Sequence, residues 1–227
     1  MRLTKWGMTM KKSEDLFKNY QRVNRYKDEL MSAGGFYQLP VVSRLSMDMA
    51  VEIIKSNNIK SVLDIGANDR RFEKHIISDR CRYYSLDQDE TYEHDFRSLQ
   101  DVEDNMYFGM ITMFAVIEHI EKATYIDEFI PFFLKHLEPF GYLIISSNNI
   151  FHNLGIRTDY SHVTSYSPRD LHAIMRNFDF ETIGVYRISL MSRRIRWFFD
   201  LLSITVFKPY CLDYAKEICW VFRYKGK

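Results

Sequence analysis

Two acids, each closing an apolar run, carry the first chemical signal. In SVLDIGANDRRFEKHI, Asp64 sits two residues before Gly66, where an apolar run gives way to a polar, helix-forming stretch. A strand ending in such a turn aims backbone N–H groups and a helix N-terminus at the sheet edge, which suits a polar ligand tail. Asp64 is placed to pair with an ammonium group, directly or through water. The next apolar run, YYSLD, ends at Asp87, 21 residues after Gly66. An acid at that distance can accept both hydroxyls of a ribose. The turn itself reads G-A-N-D-R-R, with one glycine. A pyrophosphate wants G-x-G-x-x-G, so the spacing argues for a nucleoside without one. The same residues would also serve simply to build a strand and its turn.

Further along, EHDF offers Asp95 to an adenine amino group and Phe96 to the ring face; a surface acid is the plain alternative. FGMITMFAVIEHI ends a strand, so Met113 and Phe114 are expected to line a cofactor cleft. Glu118 and His119 then face the acceptor. SSNNIFHN and DYSHV bring Asn148, Asn149, His152, Tyr160 and His162 to the same side. Histidine works as a general base near neutral pH. His119 and His162 are the catalytic candidates, Glu118 their orienter, and Asn149, His152 and Tyr160 the acceptor-binding candidates. Histidine and carboxylate also bind divalent ions, but this spacing does not establish a metal centre, and no metal ligand is assigned.

Alternating elements must position these groups. Apolar strands are expected at 61–66, 83–87, within 106–117, at 141–148, 180–188 and 218–225. Helices are expected at 13–33, 41–56, 70–79, 122–137 with a kink at Pro131, 168–178 capped by Ser167, and 193–204. Strand–helix alternation means a mostly parallel, doubly wound α/β sheet with helices on both faces. Ligands bind such sheets beyond the carboxyl ends of the strands, where all the candidates fall.

The chain has 227 residues and a net charge of +1, from 31 basic and 30 acidic side chains. That balance disfavours affinity driven by phosphate neutralisation, so nucleic acid is not an expected partner. The 46% hydrophobic share supplies a core and excludes a disordered chain. Cys81, Cys211 and Cys219 form neither a disulfide framework nor a zinc spacing. No run reaches the ~18 apolar residues of a membrane span, and a cytoplasmic protein is expected. IRWFFDLLSITVF (195–207), basic at one end and aromatic along its length, permits peripheral membrane contact. The 32 Phe and Tyr residues also allow a homodimer.

Taken in order, the motifs resemble those of class I S-adenosylmethionine-dependent methyltransferases of the small-molecule type, from about Ser61 to Ile188. VLDIGANDRRFEKHI resembles the first motif and YYSLD the ribose-binding acid motif. FAVIEHI resembles the "VIEH" signature, LEPFGYLIISSNN the turn before the next strand, and SHVTSYSPRDLHAIMRNFDFETI the late segment. The resemblance implies a Rossmann-like domain over 41–227, with a late antiparallel strand, and a helical lid over 1–40. It implies S-adenosylmethionine held by Asp64, Gly66, Ala67 and Asn68 at its methionine end, and by Asp87, with Gln88 beside it, at the ribose. Asp95 and Phe96 would flank the adenine. The implied reaction is methyl transfer, most simply to an oxygen of a small molecule or a sugar or lipid intermediate. Arg70, where the family loop has its last glycine, supports the alternative of a fold that binds without methylating. A narrower resemblance, to metal-assisted small-RNA 2′-O-methyltransferases, keeps Glu118, His119 and His162 but has Ala115 where their first glutamate stands.

Overall fold

The computed structural model describes residues 20–31, 36–76, 81–152 and 159–226. Seven strands form one sheet: β1 (Val41–Val42), β2 (Ser61–Ile65), β3 (Arg82–Leu86), β4 (Phe108–Phe114), β5 (Leu137–Asn148), β6 (Phe180–Ile188) and β7 (Glu217–Tyr224). Their order is β1-β6-β7-β5-β4-β2-β3. β7 runs antiparallel to β5 and β6, and every other pairing is parallel.

The apolar runs explain the sheet. Along a strand, side chains alternate between faces, and here both faces are buried. Leu63, Ile65, Ile111, Met113, Leu143, Ile145, Trp220 and Phe222 join the larger core on one face. Val62, Met110, Ile144 and Val221 meet Met49, Ile54 and Phe72 on the other. Fully burying one such side chain contributes about 1.5–3 kcal/mol, so two-sided burial holds the strand ends rigidly beneath the loops they support.

Among the described residues, five longer helices cover the sheet: α1 (Tyr20–Met31), α2 (Ser46–Asn57), α5 (Ile130–His136), α6 (Pro168–Asn177) and α7 (Arg193–Leu202); α3 (Glu73–Ile76) and α4 (Lys122–Thr124) are single turns. α6 starts as its residues dictate: Pro168 fills the first position and Ser167 Oγ accepts from the Asp170 N–H at 3.1 Å. The kink expected at Pro131 takes a definite form. Proline has no N–H for an ordinary helical bond, and the turn just before it, Tyr125–Phe129, widens into a π turn linking α4 to α5.

Three expectations need correction. The 41–56 helix begins only at Ser46, because Val41–Val42 pairs with β6 as an edge strand. Residues 70–79 are helical only over Glu73–Ile76, with 77–80 outside the described residues. Glu118-His119 opens no helix but lies in a 3-10 turn, Ile117–His119. Between β3 and β4 the chain adds no strand; a single bridge, Leu86 to Phe96, continues the sheet there. The described part of the expected lid, α1, lies on α6, through Lys27–Asp170 at 2.7 Å, Arg169–Asp28 at 2.9 Å and Arg176–Glu29 at 3.3 Å. Ser13, the expected cap, lies outside the described residues.

Candidate cofactor and acceptor site

The turn after β2 is built for one residue type at its first position. Gly66 has φ +74°, and a Cβ there would lie 2.1 Å from Val116 Cγ2. Asn68 and Arg70 also take left-handed angles, φ 44° and 54°. The loop thus keeps a left-handed residue at every second position although only one is glycine. Asn tolerates this conformation, whereas a long side chain does so under strain.

Asp87, at the carboxyl end of β3, locks that loop. Its Oδ2 accepts from the Asn68 N–H at 2.8 Å and its Oδ1 from the Asp89 N–H at 2.9 Å. Each carboxylate oxygen accepts about two hydrogen bonds, so each retains a lone pair for a ligand hydroxyl. Gln88 beside it is exposed. Gly66 and Ala67 both donate to the Leu86 carbonyl, at 2.8 and 3.3 Å.

Asp64 lies lower than the expectation of a ligand contact. It is buried on the β2 face, where Thr112 Oγ1 donates to one oxygen at 2.7 Å and Tyr83 Oη to the other at 2.9 Å. Thr112 is its register partner on β4, and Tyr83 lies diagonally across on β3. Burial raises its pKa to about 7, against the pull of the two hydroxyls, and Asp87 adds to the rise. Asp64 therefore braces the turn from below.

Arg70 does not cross toward Asp87. Its guanidinium bonds Glu73 at 3.0 and 3.1 Å, donates to the Glu93 carbonyl at 3.1 Å, stands 3.9 Å from Asp95 and lies over the Tyr83 ring. It ties the loop to the 93–96 segment. Asp95 is anchored as well: one oxygen accepts both the Ser85 N–H and its hydroxyl, at 2.8 and 2.9 Å, leaving the other for an adenine amino group. Phe96 stacks on Tyr84 at 6.1 Å.

Sequence reasoning passed over His94, which sits between these acids. Both its ring nitrogens are buried without a partner, and burial lowers its pKa. Asp87 and Asp95 both act on it electrostatically. A half-buried imidazole with neither nitrogen partnered, at the mouth of a parallel sheet, is suited to an outside partner. The only signal was its place in EHDF, next to the acid that drew attention.

At the end of β4, Met113 is fully buried in the larger core, so the expectation that it lines a cleft is corrected. Phe114 is half-buried edge-on to Phe72 at 5.1 Å. Ala115 then turns with φ +55°, throwing the 3-10 turn over the strand ends. Glu118 is 2% exposed, and its carbonyl accepts the N–H groups of both Val163 and Thr164 at 3.0 Å. Those two bonds clamp the 159–165 loop and bring His162 to His119, ring centroids 4.8 Å apart. Asn148 Nδ2 reaches Glu118 Oε1 at 3.4 Å and His162 Nε2 at 3.5 Å. His119 Nδ1 lies 3.3 Å from the Ser161 carbonyl. A carbonyl only accepts, so Nδ1 carries the hydrogen and Nε2 keeps the lone pair.

One carboxylate and two imidazoles, 43 residues apart in the chain, thus meet with ligand atoms all within 4.8 Å. Glu118 Oε2 and His162 Nδ1 are buried without a partner. The sequence assigned no metal ligand; this donor set fits one. Glu217, also unread in the sequence, opens β7 on the same edge, bonded by Ser46; burial and nearby Glu118 raise its pKa.

The acceptor candidates separate. Asn149 is fully buried, with both amide hydrogens given to Asp213 and Ala215 at 2.7 and 2.8 Å. It belongs to the internal ion pair Arg187–Asp213 (3.0 Å) and has no donor left for an acceptor. His152 is half-buried with Nδ1 unpartnered. Tyr160 is wholly exposed.

The methyltransferase-domain profile matches residues 41–185. No curated protein matches the chain in sequence. Among solved structures, a SAM-dependent methyltransferase from Archaeoglobus fulgidus superposes with TM-score 0.58 at 13% identity, over 80% of this chain and 96% of that one. The N-methyltransferase NodS from Bradyrhizobium japonicum WM9, in complex with S-adenosyl-L-homocysteine, gives 0.54 at 13% identity, over 90% and 97%. The [4+2]-cyclase SpnF gives 0.55 at 14%, over 97% and 98%. The profile match, which spans most of the sheet, makes this chain a member of the methyltransferase-domain family, with the class I fold of S-adenosylmethionine-dependent enzymes.

Proposed function

We propose that the chain is an S-adenosylmethionine-dependent methyltransferase that methylates an oxygen of a small molecule or of a sugar or lipid intermediate. The observation that carries this is the Asp87 carboxylate, which holds the Asn68 N–H while keeping lone pairs free beside the unpartnered imidazole of His94. A ribose and an adenine edge suit those groups. When bound, the cofactor supplies a methyl group already activated on a sulfonium. The chain's own residues do the rest. The Gly66 turn and Asp87 orient the donor side, and the 3-10 turn with the 159–165 loop orients the acceptor. His119 Nε2, its lone pair fixed by the Ser161 carbonyl, takes the acceptor's proton. Glu118 and His162 hold the hydroxyl in line, where alignment counts most.

Calorimetry with S-adenosylmethionine and S-adenosylhomocysteine tests the cofactor half; binding lost in Asp87→Ala is expected, and no heat from the wild type refutes it. With an acceptor found from a panel of phenols, polyols and lipid headgroups, His119→Ala should lower turnover ~10²–10⁴-fold with cofactor binding intact. Full turnover in both His119→Ala and His162→Ala removes the general-base assignment. Because one similar fold is a cyclase, fold alone does not carry methyl transfer. A binding protein without turnover is the competing outcome.

A second reading rests on the orphaned atoms of the Glu118–His119–His162 cluster. That donor set suits a borderline divalent ion such as zinc, manganese or cobalt. Bound there, the ion would supply Lewis-acid polarisation of an acceptor hydroxyl. Elemental content of the purified chain, and turnover with and without chelator, decide it.

A further inference from the structure

Of the fourteen large apolar side chains exposed among the described residues, seven fall between 190 and 210. That stretch follows β6, whose carboxyl end lies on the same sheet edge as Asp87 and Glu118. Its centre is α7. One side of α7 is anchored: Arg196 donates to Ser43 Oγ at 2.8 Å, Phe199 packs on Tyr214 at 5.5 Å, and Asp200 accepts the Tyr214 hydroxyl. The other side presents Ile195, Trp197, Phe198 and Leu201 to solvent, Trp197 at 70% exposure, and Leu190 and Val206 extend it at either end. A helix with an apolar face buried and a second apolar face exposed is not finished by its own chain.

The charges around the face indicate what finishes it. In sequence, residues 190–212 carry Arg193, Arg194, Arg196 and Lys208 against Asp200, a net +3 in a chain whose total is +1; Arg194 and Lys208 are exposed, while Arg196 is held by Ser43 on the anchored side. The one acid is occupied by Tyr214. Two copies meeting face to face would bring these like charges together, whereas an anionic lipid surface would neutralise them. Trp197 and Tyr210, both exposed, are the residue types that settle at a lipid headgroup boundary. An apolar face with basic residues beside it, on a helix far too short to span, is the composition of an interfacial helix. Among the described residues no helix is long and apolar enough to cross a membrane.

We infer that the exposed face of α7 docks the protein on an anionic bilayer, bringing the carboxyl edge of the sheet to lipid headgroups. The acceptor class then narrows to a membrane-borne molecule with a polar, hydroxylated head. Only that narrowing rests on the proposed transferase function; the docking stands apart from it.

The test is flotation of the full chain, without cofactor, on vesicles of phosphatidylcholine alone and of phosphatidylcholine mixed with phosphatidylglycerol. The protein should float with the mixed vesicles and far less with the neutral ones, and raised salt should release it. Arg194→Gln and Lys208→Gln should each weaken partitioning about five-fold. Trp197→Asp with Leu201→Asp should abolish it, while the circular dichroism spectrum stays that of the wild type, since both side chains point outward. Wild-type protein left at the bottom with both vesicle types overturns the inference. So does a wild-type dimer that the Trp197→Asp, Leu201→Asp variant turns into monomers.

Discussion

Arg70→Gly distinguishes a latch from a plug. At φ 54° the side chain costs the folded loop about 1 kcal/mol, which glycine removes. Glycine gives back about 0.5 kcal/mol through the greater freedom of its unfolded chain. The guanidinium's fork on Glu73, at 3.0 and 3.1 Å, is a part-exposed ion pair of about 0.5 kcal/mol. Its bond to the Glu93 carbonyl is worth about 1 kcal/mol, and its place over Tyr83 about 0.5 kcal/mol. The variant should therefore lose about 1.5 kcal/mol of stability, an ordinary loss for one substitution, read as an earlier urea midpoint. It also removes the tie from the Gly66 loop to the Glu93 carbonyl, while Asp95 and Phe96 stay held by Ser85 and Leu86, so S-adenosylmethionine must order the Glu93–His94 end that Arg70 now holds. About 1 kcal/mol of ordering corresponds to about five-fold weaker binding by calorimetry. Tighter binding by Arg70→Gly would refute the reasoning, because it would mean that the guanidinium obstructs the groove.

Two further outcomes follow from the same cradle. Gly66→Ala places a methyl 2.1 Å from Val116 Cγ2 at φ +74°, so a loss of about 2–4 kcal/mol in urea unfolding is expected, with the cofactor's heat of binding gone; an unchanged midpoint would contradict the packing described. Asp64 binds its proton up to about pH 7 when folded but only to its ordinary 3.8 when unfolded. The folded state therefore holds more protons between those values, and this group's stabilisation is fully present below about pH 4 and lost as pH rises to about 7. At ~1.4 kcal/mol for each pKa unit the loss reaches ~4 kcal/mol as an upper bound. Asp64→Asn should gain on the wild type by up to that amount between pH 4 and pH 7 in urea titrations, and parallel curves would show that Asp64 is not held neutral.

The order of elements was legible from the chain because each strand is a short apolar run between turn residues, and two-sided burial rewards such runs directly. The Gly66 turn and Asp87 were legible for a similar reason: a left-handed turn and an acid at a fixed distance are local constraints, and local constraints leave a mark in residue type. Ser167 and Pro168 marked the start of α6 in the same way. What escaped was what depends on which neighbour a side chain finds. Asp64 could be placed at a strand end, but that its carboxylate is spent on Thr112 and Tyr83 follows only from the β3-β2-β4 order. Asn149 read as a polar exit from a strand and proved part of a buried ion-pair network with Arg187 and Asp213. His162 stands 43 residues from His119, and only the two bonds to the Glu118 carbonyl bring the rings together. Helical and strand periodicities report how much of a residue is buried, not against what, so the sheet's composition belongs to the sequence and the partners of its polar groups to the tertiary structure.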